Sequence, residues 1–119
     1  MHDKFYIVKL IKKLTNDFDK YLINFPNREI EIKRKIMNTC YDMLMIAYEG
    51  NTTYNIDKRI DIIEKIISYI KYLDYLVNVC YDKKIINSKR YIKFGESLDY
   101  LLKYVMSWYK TSRDIKDRA

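Results

Sequence analysis

Residues 56–85 read IDKRIDIIEKIISYIKYLDYLVNVCYDKKI. Within this stretch Ile60, Ile63, Ile66, Ile67, Ile70, Leu73, Val77 and Cys80 recur mostly at spacings of three and four, and charged or polar residues fill many of the positions between them. That period lays the apolar side chains along one stripe of an α-helix, whereas a strand would need alternation at every second residue. It is the longest and most regular pattern in the chain, and it decides for an all-α fold. Composition agrees. An all-β chain of this length would need many turns, and turns draw on glycine and proline. The sequence has two glycines and one proline.

Three further helices follow from the same period on either side. The first covers about residues 3–24, with Ile7, Leu10, Ile11, Leu14, Phe18, Tyr21 and Leu22 as its stripe. Phe25-Pro26-Asn27 breaks it, because proline disfavours helix in the residue before it. The second covers about 27–50, with Ile32, Ile36, Cys40, Met43, Leu44 and Ala47 facing inward. Asn27 is its expected cap, Glu29 and Glu31 suit its positive end, and Gly50 is expected to end it. Asn51 to Asn55 reads as a polar loop into the helix at 56–85. Asn87-Ser88 makes the last turn, with Ser88 as the expected cap of a fourth helix, about 89–112. Tyr91, Phe94, Leu98, Leu101, Leu102, Val105 and Trp108 form its stripe. The charged tail, 113–119, is expected to fray. Short connections make consecutive helices antiparallel, so the expected architecture is an up-down-up-down four-helix bundle in a single domain, 1–119.

With 119 residues, 49% of them apolar, the chain has the size and the apolar content for one packed core. Cys40 and Cys80 fall in apolar helical stretches and read as buried free thiols of a reducing compartment. The N-terminal Met1-His2-Asp3-Lys4 lacks the apolar core of a signal peptide, and no run approaches the length of a membrane span. A cytoplasmic protein without a membrane partner is the expectation. Thirteen tyrosines suggest base stacking at first sight. An AT-rich coding sequence enriches tyrosine, lysine, isoleucine and asparagine together, so the count alone carries little.

The distribution of charge carries more. The bundle topology puts the first and third connections at the same end, which makes residues 20–35 and 81–93 share a pole. Together they hold ten basic residues: Lys20, Arg28, Lys33, Arg34, Lys35, Lys83, Lys84, Lys89, Arg90 and Lys93. They hold three acids, Glu29, Glu31 and Asp82. The excess of seven equals the net charge of the whole chain, +7, so the remainder balances. Lysines at loops and helix ends also aid solubility, but solubility asks for no such segregation. A concentrated cationic patch raises the local concentration of an anionic partner, and against phosphate it releases counterions. Arg28, Lys33, Arg34, Lys35, Lys83, Lys84, Lys89 and Arg90 are therefore the candidate nucleic-acid-binding residues. Tyr81 and Tyr91 lie in the same zone and can stack on bases; Tyr91 suits core packing equally well.

Catalytic patterns are not evident. Asp57, Asp61 and Glu64 share a helical face, and a metal is conceivable there, but Lys58, Arg59 and Lys65 flank them and a solvated ionic face is the plainer reading. A single histidine, His2, precludes the paired Glu-x-x-His motifs of a di-iron bundle and gives no serine or threonine a histidine base. No glycine-rich phosphate loop occurs. The expectation is a non-enzyme with no cofactor and no metal. Trp108 reads either as a core anchor or as an aromatic buried between subunits.

Three motifs carry a family resemblance. Phe25-Pro26 opens the second helix and basic residues follow it. Ile86-Asn87-Ser88-Lys89-Arg90-Tyr91 resembles an Ile-Ser-x-Lys-Gln-Tyr turn, and Lys103 with Trp108-Tyr109-Lys110 resembles a basic residue and tryptophan near the end of the last helix. From about Phe18 to Ser112 the chain thus resembles the four-helix-bundle family of the accessory variability determinant of diversity-generating retroelements. It departs from that pattern in having Met106-Ser107 for a glycine pair, Asn78 for an arginine, and a shift of about one residue in the basic segment after Pro26. Ala47-Tyr48-Glu49-Gly50 is similar to a Glu-Gly in the related bundle proteins encoded in intervening sequences of bacterial ribosomal RNA genes.

The resemblance implies a bacterial or phage protein that forms a basic homopentamer and binds a reverse transcriptase together with template RNA or cDNA. Five copies of this chain would carry roughly +35. The alternative expectation is a protein-interaction bundle, of the ribosomal-RNA intervening-sequence type or a mobile-element adaptor, without a reverse transcriptase partner.

Overall fold

The computed structural model describes residues 3–118. Its elements are four helices: α1 (Asp3–Tyr21), α2 (Ile30–Thr52), α3 (Ile56–Asp82) and α4 (Ser88–Arg118). A single 3₁₀ turn, Asn27–Glu29, precedes α2. No strand occurs among the described residues. The helices pack in a ring, each against its two neighbours: α1 on α2, α2 on α3, α3 on α4 and α4 back on α1. The product is an all-α, antiparallel four-helix bundle, a rod of 51 × 21 × 19 Å.

The stripes read from the sequence supply the core. Ile7, Ile11, Leu14, Phe18 and Leu22 come from the first, Ile36, Cys40, Met43 and Ala47 from the second. Ile63, Ile66, Ile70, Leu73, Val77 and Cys80 meet Phe94, Leu98, Leu101 and Val105 from the other two. Full burial of each large side chain stabilises the fold by roughly 1.5–3 kcal/mol, which makes this contiguous core the main support of the bundle. Phe18 and Phe94 stack across α1 and α4 with ring centroids 4.4 Å apart.

Several boundaries differ from the sequence reading, each for a local reason. α1 stops at Tyr21; Leu22 and Phe25 still turn inward and close its end. Asn27 does not cap α2, because it starts the 3₁₀ turn and no side chain caps the α2 start at Glu29. Asn55 caps α3, accepting from the Lys58 amide at 3.0 Å. α3 ends at Asp82, three residues early. Asn87, not Ser88, caps α4: its Oδ1 accepts the Arg90 amide at 2.8 Å, while the Ser88 hydroxyl lies 3.2 Å from that of Tyr81.

Two corrections matter for packing. α2 runs past Gly50 to Thr52, and Gly50 is buried inside the helix. A β-carbon there would come within 2.8 Å of Cη2 of Trp108 and 3.2 Å of Cγ2 of Ile62. The glycine makes room for the indole; it does not end a helix. Trp108 is accordingly 5% exposed, a core anchor within one chain. The tail expected to fray is helical through Arg118. Ser112 is buried, and Lys116 Nζ pairs with Asp57 Oδ1 at 2.8 Å, which lays the end of α4 against the start of α3. Met1, His2 and Ala119 lie outside the described residues.

Candidate nucleic-acid interface

The turn from α3 to α4 is fixed by two backbone hydrogen bonds. The Ile85 amide donates to the Cys80 carbonyl and the Lys84 amide to the Tyr81 carbonyl, both at 2.9 Å. This hydrogen-bond pair is the Schellman arrangement, whose residue just past the helix adopts a left-handed conformation and is usually glycine. Here that residue is Lys84, with φ of 61°. It is the one non-glycine residue of positive φ among those described.

The other connection is fixed differently. Phe25 is buried, Pro26 follows it, and the 3₁₀ turn then carries Arg28 outward. The early turns of α2 add Lys33, Arg34 and Lys35. Tyr21 at the end of α1 and Arg90 in the first turn of α4 bring the remaining two helices to the same end.

Two cross-links show that both connections form one surface. Lys83 Nζ lies 3.2 Å from Glu29 Oε1, joining residues 54 apart in sequence. The Arg90 guanidinium lies over the Tyr21 ring, 3.3 Å from its centroid. The Arg90 guanidinium and then the charge of Lys20 hold the Tyr21 phenol below its ordinary value. A lowered phenol is what a locally positive environment produces.

Arg28, Arg34, Lys35, Lys83, Lys84 and Lys89 are exposed, and Lys33 and Arg90 are half-buried. Lys83 is engaged with Glu29, and Arg34 with Glu31. Arg90 rests on Tyr21. Among the described residues, Arg28, Lys33, Lys35, Lys84 and Lys89 have no carboxylate within ion-pair distance. Two of the three acids of the pole are thus already bound to cations, and Asp82 is the third. All eight candidates belong to one end of the rod, spread over both connections.

Tyr81 and Tyr91 are stacked on each other, centroids 4.3 Å apart and planes 13° from parallel. The Tyr91 hydroxyl donates to Asn78 Oδ1 at 2.6 Å. Tyr81, Asp82, Lys84, Ile85, Ile86, Asn87 and Ser88 line a shallow open depression beside the stack. Tyr21 was read as a core residue, yet it is 40% exposed and holds Arg90.

Two of the three acids on the α3 face are engaged within the bundle. Asp57 pairs with Lys116, and Glu64 accepts a hydrogen bond from Tyr109 at 3.0 Å. Among the described residues no group of three or more histidine, cysteine or acidic side chains is placed to hold a metal ion. Among the described residues no helix is long and apolar enough to cross a membrane. Compared with protein-family models, curated proteins and solved structures, the chain matches none of them.

Proposed function

We propose that this protein is a non-catalytic nucleic-acid-binding bundle, and that it serves as the accessory subunit of a diversity-generating retroelement. The observation that carries the binding half of the reading is the meeting of residues 20–35 and 81–93 at one end, with ten cations against three acids. Glu29 and Glu31 are engaged, so Arg28, Lys35, Lys84 and Lys89 are left facing solvent without a carboxylate partner. Phosphates are the natural counter-charge for such a surface, and they would be met as a backbone, with little reading of sequence. The retroelement half rests on the motif resemblance, which adds a reverse transcriptase partner and a homopentamer.

The test is fluorescence anisotropy with a labelled RNA and a DNA duplex across a salt series. Wild type is expected to bind with a steep salt dependence. A variant carrying Lys33→Glu, Lys35→Glu, Lys84→Glu and Lys89→Glu is expected to lose binding near physiological salt while keeping its helical circular dichroism. Each phosphate contact removed should flatten the slope of log K against log[salt] by roughly 0.7–0.9. Equal binding by the variant would end the nucleic-acid reading and leave an acidic protein as the partner of this pole. Co-purification with a reverse transcriptase encoded by a neighbouring gene tests the retroelement half separately.

A further inference from the structure

We infer that the stacked pair Tyr81–Tyr91 is a platform for an unpaired base, so that the nucleic acid taken at this pole is single-stranded. The inference rests on the nucleic-acid reading above and narrows it. A planar stack with centroids 4.3 Å apart has the geometry a base would continue. Tyr81 is the outer member, 37% exposed, and Tyr91 is half-buried behind it. Both rings are held in place before any ligand arrives. Tyr81 shares a hydrogen bond with Ser88 at 3.2 Å, and Tyr91 donates to Asn78 at 2.6 Å. A ring already ordered loses little freedom on binding, which is the advantage of a preorganised contact.

The surroundings supply the rest of a nucleotide's needs. Tyr81 lines the same depression as Lys84, Asn87 and Ser88. Lys84 sits there in the left-handed position of the α3 cap, which holds its backbone fixed. Its ammonium group suits a phosphate; the amide of Asn87 has its Oδ1 engaged by the Arg90 amide. The Asp82 carboxylate lines the same depression and repels phosphate, so Lys84 is the expected phosphate contact there. A duplex keeps its bases stacked within the helix and offers the platform no face, whereas an unpaired base offers one.

The experiment compares a twelve-nucleotide oligo(dT) with a twelve-base-pair dA·dT duplex, on wild type, Tyr81→Leu and Tyr81→Phe. Leucine keeps the helix and the apolar volume but removes the ring; phenylalanine keeps the ring. Wild type and Tyr81→Phe are expected to prefer the single strand. Tyr81→Leu should weaken single-strand binding on the order of tenfold and leave duplex binding unchanged. A 5-iodouracil-substituted strand should photocrosslink at Tyr81 in wild type. If single strand and duplex bind alike and Tyr81→Leu changes neither, the platform is overturned while salt-dependent binding keeps the basic pole. If neither nucleic acid binds, both readings fall together.

Discussion

Trp108 lies so close over Gly50 that a β-carbon at position 50 would be 2.8 Å from the indole. The other glycine, Gly95 in α4, has nothing within 4 Å of the same point. The two positions should therefore answer one substitution with opposite signs. In Gly95→Ala the helix gains alanine's lower backbone entropy cost, and stability should rise by about 0.5–1 kcal/mol. In Gly50→Ala the same gain meets a rigid buried ring that must shift, and overpacking of this kind costs about 1–3 kcal/mol. A net loss is expected there. Urea unfolding of the two variants, followed by circular dichroism, gives both values on one scale.

Lys84 sets stability against binding. Its left-handed backbone costs roughly 1 kcal/mol that glycine would not incur. Lys84→Gly should raise the unfolding midpoint and at the same time weaken oligonucleotide binding. Lys84→Ala should weaken binding without the gain in stability. If Lys84→Gly binds like wild type, this lysine takes no part in the interface.

The thiols give a pH-dependent expectation. Burial pushes Cys40 up to about 12, and burial together with the negative charge of Glu29 pushes Cys80 up to about 11. An unfolded thiol ionises near about 8.5. The folded state thus holds these protons more tightly than the unfolded state. The stability this contributes is complete below about pH 8.5, begins to decline as pH rises past it, and is lost as pH passes the folded values. At pH 8 a disulfide reagent should leave the native protein almost untouched and titrate both cysteines once denaturant is added. Fast labelling of the native form would show that one of the helices opens.

The bundle was readable in the sequence because its core is periodic. Every residue of the long stripe from Ile60 to Cys80 is buried except Ile67, which packs against the core at its edge. Helix ends were less readable, because several competing groups can satisfy the same free amides. Asn87 and Ser88 are both good caps in isolation; Tyr81 occupies the serine hydroxyl, and the asparagine caps. Gly50 misled because glycine has two uses, ending a helix and admitting a neighbour, and only the place of Trp108 tells which applies. The charged tail misled for a similar reason. Its anchor, Asp57, is 59 residues away in sequence, as Lys116 shows by pairing with it. The basic pole was readable as composition plus topology. The Tyr81–Tyr91 stack was not, because spacing of ten along the chain says nothing of two rings on different helices.

The ring of helices also has a bearing on how the chain reaches its native state. Three of its four seams, α1–α2, α2–α3 and α3–α4, join consecutive helices and can zip as hairpins from nearby turns. The fourth, α4 on α1, needs residues such as Phe18 and Phe94 to meet across most of the chain. Loop closure grows costlier with length, and topologies rich in local pairings fold quickly. Ring closure at the Phe18–Phe94 stack is then the expected late event of folding, with the α1–α4 seam the last to close.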